Sequence, residues 1–237
     1  MDVAILLYDG VTAAEALAPY EVFRQVPDVE VHFVAARPGP HNTQGRPGVL
    51  VADRALADWP HPDTLVVPGG LGARRLLNEV GLVAWIAEAH RGTQWTTAVS
   101  TGSMLLGAAG ALDGCDATGH WLVLDELPSV GAVPQRDRLV RHGRVVTASG
   151  ATSGFDLALL VVERSYGTEM VARVRAALRA DPEGVRRLPR LRRFRPLTGG
   201  PPSAGPYVTA EDAPRRRWVR GRATPRGHVL ATALSAG

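Results

Sequence analysis

Short apolar runs alternate with helical patterns along residues 1–180 of this 237-residue chain, and this alternation constrains the fold more than any other feature. Strands that alternate with helices assemble into a mostly parallel sheet, which needs helices over both of its faces. We therefore predict one α/β domain over residues 1–180, built as a three-layer sandwich. The predicted strands are Val3–Tyr8, Val29–Ala35, Val49–Asp53, Thr64–Val67 and Trp95–Val99, followed by a hairpin of Leu139–Arg141 and Arg144–Ala148.

Helical patterns occupy most of the segments between these strands. Thr12 is predicted to cap the first helix, and Pro19 to kink that helix or end its first part, because proline lacks the N–H that a helix needs. Residues 36–48 are rich in Pro, Gly and Asn and predict a loop. The other helices are predicted near residues 71–79, 83–91, 101–109, 120–126, 155–166 and 169–179.

Residues 181–237 differ from the rest of the chain in composition and charge. The chain has no lysine, so all 27 basic residues are arginine, and twelve of them lie after residue 180 against four acids. Proline and glycine recur there without apolar periodicity, which predicts a basic tail that is disordered or loosely docked. Its arginines could contact nucleic acid nonspecifically through the phosphates, whereas the lack of a helical pattern argues against a recognition helix.

The rest of the composition predicts a cytoplasmic protein without a membrane segment. No run approaches the roughly 18 apolar residues of a spanning helix, and the start, MDVAILLYDG, is interpreted as a strand rather than a signal peptide. The single cysteine, Cys115, excludes an internal disulfide and lies in a polar turn, so we interpret it as an incidental thiol. No metal-ligand spacing, phosphate loop or dinucleotide fingerprint occurs, so neither metal nor cofactor is predicted.

Three strand ends carry chemically suggestive residues. The stretch TAVSTGSMLL, residues 97–106, turns from a strand into a helix at Ser100, a geometry that exposes a nucleophile near helix N–H groups. The turn PGG at residues 68–70 ends a second strand, and Glu15 follows the first. Because ligands bind beyond the carboxyl ends of strands in such sheets, we expect these segments to form a pocket for a small-molecule substrate or ligand.

The residue types at this edge predict the parts of a catalytic site. Ser100 is the candidate nucleophile, and His120 is the candidate base that would take its proton. The N–H of Thr101, together with that of Gly70 or Leu71, would stabilise a developing anion. These assignments describe nucleophilic attack on an acyl or nitrile-like carbon.

Glu15 is a second titratable group that could reach the same pocket, where partial burial would let it donate or accept a proton. Structural interpretations also remain for each residue. Ser100 could only cap its helix, His120 could be packed in the core, and Glu15 could be a solvated acid on a helix surface. The sequence leaves both interpretations open.

Four stretches of the chain together resemble the ThiJ/PfpI branch of the class I glutamine-amidotransferase-like superfamily. Within it they are most similar to isonitrile hydratases and to the sensor domains of AraC-type regulators. The resemblance covers about residues 1–180 and implies a flavodoxin-like fold and a homodimer. The four stretches are LLYDGVTAAEALAPYEVF (6–23), DTLVVPGGLGARRLL (63–77), TTAVSTGSMLLGAAGALDGCDATGHW (96–121) and LVRHGRVVTASGATSGFDLALLVVE (139–163).

The resemblance also implies roles for the site residues and one departure from the family. The family pattern has a reactive cysteine where this chain has Ser100. It has an acid at Glu15, a histidine at His120 and oxyanion-binding positions at Gly70 and Thr101. The acid, the histidine and the oxyanion positions are therefore kept, and the thiol is replaced by a hydroxyl.

Two classes of function follow from these residues. The first is a small-molecule enzyme of the hydratase, lyase or hydrolase type, similar to isonitrile hydratases. In such an enzyme, Ser100 could attack the substrate with His120 as its base. Alternatively, Glu15 could activate water or the substrate, while Ser100 only makes a hydrogen bond. The second is a non-catalytic metabolite-binding domain, related to the regulator sensors but lacking a helix-turn-helix.

Overall fold

The structure, a computed structural model, describes residues 1–45 and 48–178, whose framework is eleven strands and six α-helices. Two 3-10 helices, Leu56–Asp58 and Leu124–Val130, lie between them. The α-helices are α1 (Ala13–Phe23), α2 (Ala73–Leu76), α3 (Val80–Gly92), α4 (Gly102–Ala108), α5 (Ser153–Tyr166) and α6 (Thr168–Leu178). The strands are β1 (Asp2–Leu6), β2 (Glu30–Ala35), β3 (Gly39–Asn42), β4 (Val49–Ala52), β5 (Arg54–Ala55), β6 (Thr64–Val67), β7 (Trp95–Val99), β8 (Asp116–Ala117), β9 (Val133–Pro134), β10 (Leu139–His142) and β11 (Val145–Ala148).

Seven of the strands form the central sheet, in the order β10-β11-β7-β6-β1-β2-β5. All neighbours are parallel except β10 and β11, which form the antiparallel hairpin. The predictions of a mostly parallel sheet and of a hairpin are therefore confirmed. The chain builds outward from β1 to β2 and β5, then returns to β6 on the other side of β1 and continues to β7. The order thus reverses between β1 and β6, and open α/β sheets form a crevice at such a point.

Helices cover both faces of this sheet, which gives the three layers that the alternation predicted. One layer contains α1, α5 and α6, and the other contains α2, α3 and α4. Every residue of β6 is buried, which is why its sequence, TLVV, shows no polar alternation. The architecture is the flavodoxin-like α/β fold.

The first helix differs from expectation at Thr12, and it continues through Pro19. Thr12 precedes α1, but its side chain makes no capping hydrogen bond, and its Oγ1 instead donates to Gln44 Oε1 at 3.2 Å. Pro19 does not end the helix, since α1 continues to Phe23. Pro19 is buried where α1 packs against Gly154 of α5, and this packing stabilises the helix despite the missing N–H.

Two segments were assigned wrongly from the sequence. Residues 39–42 of the predicted loop form β3, which pairs antiparallel with β4 as a separate ribbon. Gly, Pro and Asn are depleted in strands, so its sequence, GPHN, gives no strand signal. The helix expected at residues 120–126 begins later, as the 3-10 helix Leu124–Val130.

Among residues 1–45 and 48–178, no helix is both long and apolar enough to cross a lipid bilayer. The predicted basic tail, residues 181–237, lies outside the described residues.

Two turns at the carboxyl edge of the sheet approach each other closely at Gly70, shortly after β6. Its φ is +141°, a conformation that L side chains rarely adopt. A Cβ at this position would lie 2.2 Å from Gly10 O and 2.7 Å from Thr12 N, both backbone atoms of the segment after β1. Glycine at position 70 therefore lets the turns after β1 and β6 touch.

We expect Gly70→Ala to lower the free energy of unfolding by about 3 kcal/mol or more, because backbone strain and a clash with fixed backbone atoms add. Chemical denaturation measures this change. Gly81→Ala in α3 is the control, since nothing lies within 4 Å of a Cβ there. Alanine favours the helix, so this control should equal or exceed the unsubstituted chain by up to about 1 kcal/mol. Equal stability of the two variants would contradict this account of Gly70.

Candidate active site

Ser100 forms a strained corner between β7 and α4. Its φ of 62° lies in the left-handed region, which costs a non-glycine residue about 1–3 kcal/mol. The corner is held by the Ser100 N–H, which donates to Ala148 O of β11 at 2.7 Å, and by the start of α4 on its other side. Strain that the surroundings enforce is typical of functional corners, and Ser100 is buried, with 3% of its surface exposed.

Glu15 lies in the first turn of α1, and its carboxyl points into the domain. The residue is only 4% exposed, and the Gly69 N–H donates to its Oε2 at 2.7 Å. Burial raises the pKa of Glu15 to about 7, although the hydrogen bonds from Gly69 and from the Ser100 hydroxyl act in the opposite direction. A carboxyl with this pKa is present in both protonation states near neutral pH.

Glu15, Gly69 and Ser100 come from three different strand ends and meet at the reversal of the sheet. Glu15 follows β1, Gly69 follows β6 and Ser100 follows β7, which are adjacent in the sheet. The backbone is so close here that a Cβ on Gly69 would lie 2.6 Å from Thr101 N and 2.7 Å from Glu15 Oε2. The structure thus brings the acid and the hydroxyl of the sequence-based site together.

Two of the three N–H groups that were expected to stabilise an anion, those of Gly70 and Leu71, already donate hydrogen bonds. The Gly70 N–H donates to Thr101 Oγ1 at 2.8 Å, and Thr101 Oγ1 donates back to Gly70 O at 3.1 Å. The Leu71 N–H donates to Gln44 Oε1 at 3.0 Å. In the described part of the chain, the Thr101 N–H has no protein acceptor, so it is the one predicted donor that is free.

The role of His120 as a base for Ser100 stays a prediction. Its Nδ1 accepts a hydrogen bond from the Leu122 N–H at 3.2 Å, so the neutral ring carries its proton on Nε2. Among the described hydrogen bonds, none joins His120 to Ser100 or Glu15, although a Cβ on the preceding Gly119 would lie 3.0 Å from Ser100 O.

Among the described hydrogen bonds, none joins the Cys115 thiol to Ser100 or Glu15. Burial and the neighbouring carboxylates of Asp113 and Asp116 raise its pKa, so it forms little thiolate near neutral pH. The Cys115 Sγ donates weakly to Asp113 O at 3.8 Å.

Sequence reasoning missed two residues of the site, Tyr8 and Gln44. The Tyr8 hydroxyl donates to Pro68 O at 2.7 Å and is buried. A tyrosine at the end of a buried apolar run was a usable signal, because a buried hydroxyl needs a partner. Gln44 lies in the Pro- and Gly-rich segment beside the ribbon, where no pattern marks it, and its amide oxygen accepts from both Leu71 and Thr12.

No group of three or more His, Cys, Asp or Glu side chains within residues 1–45 and 48–178 is arranged to hold a metal ion.

Comparison with known proteins identifies relatives of this chain. The model of the DJ-1/PfpI family matches residues 1–164. An isonitrile hydratase from Pseudomonas putida is 32% identical over 216 residues, which cover 91% of this chain and 90% of that protein. The HTH-type transcriptional regulator GbdR from Pseudomonas aeruginosa is 32% identical over 129 residues, which cover 53% of this chain and 34% of the regulator. The chain thus spans only about a third of the regulator's length.

Solved structures show the same architecture. A ThiJ/PfpI family protein from Pseudomonas syringae superposes with a TM-score of 0.73 at 27% identity, covering 76% of this chain and 75% of that one. DJ-1 from Schizosaccharomyces pombe superposes with a TM-score of 0.67 at 19% identity, covering 76% of this chain and all of that one.

The raised pKa of Glu15 makes the stability of the protein depend on pH. Because the folded state holds this proton up to about pH 7 and the unfolded state releases it near pH 4.5, stability is lost as the pH rises through this window. Glu15→Gln removes the ionisation, so at pH 8 we expect it to raise the free energy of unfolding by up to about 3 kcal/mol. At pH 4 the gain should vanish. Denaturation at both pH values measures it.

Glu21→Gln is the matched control, since Glu21 lies on the same helix and is half-exposed beside Arg24. It should change stability by at most about 1 kcal/mol at either pH. If the Glu15→Gln gain did not differ between pH 4 and pH 8, the pKa of Glu15 would not be raised.

Proposed function

Because the chain belongs to the DJ-1/PfpI family, we propose that it is an enzyme that adds water to a small neutral substrate, as the isonitrile hydratase that it resembles does. The observation that carries the proposal is the buried carboxyl of Glu15, whose pKa is about 7 and which lies beside Ser100. A proton donor with a pKa near the working pH is what general acid catalysis needs.

Glu15 performs the first step in its protonated form. The terminal carbon of an isonitrile carries a lone pair, and the Glu15 carboxyl donates its proton to that carbon. A C–H bond forms, and the substrate becomes a nitrilium cation beside the carboxylate left on Glu15. The two opposite charges stabilise each other in a buried site, where water screens them little.

Water completes the reaction at the same carbon. Its oxygen attacks the nitrilium carbon while the Glu15 carboxylate takes a proton from the water, which restores the acid. The remaining formimidic acid moves its O–H proton to nitrogen and gives the N-substituted formamide, so that one isonitrile and one water yield one formamide. Ser100 hydrogen-bonds to Glu15 and orients the reacting groups, and no proton has to leave its hydroxyl.

The occupied N–H groups favour hydration over acyl hydrolysis. Acyl transfer builds an oxyanion that needs several donors, yet Gly70 and Leu71 already donate to Thr101 and Gln44. Hydration of an isonitrile passes through a cation instead, which a carboxylate stabilises and which needs no oxyanion hole.

A non-catalytic metabolite-binding domain is the second candidate. The same occupied donors favour it, since a site without a thiol and with one free N–H at Thr101 can hold a ligand without reacting. The similarity to the regulator GbdR supports this alternative. It predicts that ligands shift the melting temperature while no isonitrile is turned over.

The hydratase is tested by incubating the full chain with alkyl and aryl isonitriles and detecting the formamides by mass spectrometry. Glu15→Gln should lower kcat by about a hundredfold or more, the scale of lost general acid catalysis. Ser100→Ala should cost less, about tenfold, because the hydroxyl only orients the site. Glu21→Gln should leave turnover unchanged, and undiminished activity of Glu15→Gln would remove this mechanism.

The pH profile gives a separate check. Because Glu15 acts in its protonated form, kcat should be level below pH 7 and fall about tenfold per pH unit above it. A rate that rises through pH 7 would instead indicate a base, and would exclude Glu15 as the proton donor.

A further inference from the structure

Tyr8 and Glu15 bind opposite ends of one peptide unit. The Tyr8 hydroxyl donates to Pro68 O at 2.7 Å, and the N–H of the same peptide, that of Gly69, donates to Glu15 Oε2 at 2.7 Å. We propose that Tyr8 is a positioning residue for Glu15, acting through the Pro68–Gly69 peptide unit. Its importance for catalysis rests on the function proposed above, whereas its effect on the carboxyl does not.

The rigidity of the peptide unit transmits the effect. Because the peptide group is planar, a hydrogen bond that fixes the direction of the Pro68 carbonyl also fixes the direction of the Gly69 N–H. Glycine accepts either sign of φ, so local sterics alone do not prevent this peptide from rotating. The Thr12 N–H holds the next carbonyl, Gly69 O, at 2.9 Å, which leaves Tyr8 to hold the peptide that faces Glu15.

Packing in the core does not require a hydroxyl at position 8. The residue is 6% exposed, and a phenylalanine would fill nearly the same volume without a polar atom to satisfy. Burial, and secondly the charge of Glu15, raise the pKa of Tyr8 well above its usual value. The hydroxyl therefore keeps its proton, and remains a donor, over the whole range in which Glu15 titrates.

The Glu15 carboxyl accepts hydrogen bonds from the Gly69 N–H after β6 and from the Ser100 hydroxyl after β7, and its charge also acts on the Tyr8 hydroxyl. The Gly69 hydrogen bond favours the carboxylate, so it lowers the pKa of Glu15. If Tyr8 aims this N–H, removing its hydroxyl weakens the bond. The pKa of Glu15 should then rise.

The test follows the Glu15 carboxyl directly by NMR, using the full chain labelled with ¹³C-glutamate between pH 5 and pH 9. Glu15→Gln identifies the signal, because only that resonance disappears. In Tyr8→Phe we expect the midpoint of this titration to move up by about 0.5–1 unit, a partial loss of a charge-assisted hydrogen bond. The Gly69 amide proton should move upfield in the same variant as its hydrogen bond weakens.

Two further variants separate positioning from packing. Tyr20→Phe removes a hydroxyl from a partly buried ring of α1 that stacks on Phe33, and it should leave the midpoint unchanged. A 3-fluorotyrosine placed at position 8 keeps the shape of the ring and strengthens the donor. It should shift the midpoint down, opposite to Tyr8→Phe, and it reports on the proposal even if Tyr8→Phe fails to fold.

The outcomes distinguish this proposal from the proposed function. A midpoint that stays within about 0.2 units in folded Tyr8→Phe, or in the 3-fluorotyrosine protein if Tyr8→Phe does not fold, overturns the positioning role. If the midpoint shifts but no isonitrile is hydrated, Tyr8 positions Glu15 and the proposed reaction is wrong. If the enzyme is active, the fall of kcat with pH should move up in Tyr8→Phe by the same amount as the NMR midpoint.

Discussion

The hydrogen bond between the Gly69 N–H and Glu15 joins the first helix to the turn after β6, where the strand order reverses. A buried carboxyl is costly to ionise unless several donors surround it. Glu15 receives one backbone donor and the Ser100 hydroxyl, which is too little to offset its burial. This shortage of donors keeps the carboxyl near the balance between its two protonation states. A further backbone donor would make it an ordinary buried carboxylate.

The residues with strained backbone conformations lie near the Glu15 carboxyl, whereas the strands that lead to them are regular. Ser100 and Gly70 both have positive φ, and Gly69 has no room for a side chain. These positions lie at the carboxyl ends of β6 and β7, strands whose central residues are buried between two helical layers. The sheet supplies the stability that holds the strained corners in place. The same division explains why the reactive groups lie in the turns rather than in the strands.

The sheet could be predicted from the sequence because buried parallel strands leave a plain signal. Thr64–Val67 and Trp95–Val99 were assigned to the residue, since continuous apolar or β-branched runs end there at Pro-Gly-Gly and at Ser100. The ribbon strand β3 was missed because its Gly, Pro and Asn resemble a loop, and local composition cannot show that two such segments pair.

The sequence could predict which residues of the site lie close together, but not the hydrogen bonds that they make. Glu15, Gly70 and Ser100 follow strand ends, so the topology alone brings them together. The acceptor of each N–H group depends on side chains from other loops; the Leu71 N–H, for example, donates to Gln44 Oε1. In the same way, His120 Nδ1 accepts from the Leu122 N–H. These contacts carry no local sequence pattern. They bear on the chemistry, because two of the N–H groups expected in an oxyanion hole, those of Gly70 and Leu71, already have acceptors.

Serine at position 100 gives the centre of the site a hydroxyl rather than a thiol. Peroxide converts reactive thiolates stepwise to sulfenic, sulfinic and sulfonic acids, and a hydroxyl undergoes none of these steps. The chain's single cysteine, Cys115, has a raised pKa. The corner therefore keeps its chemical identity under oxidants and alkylating agents that would modify a cysteine in the same place.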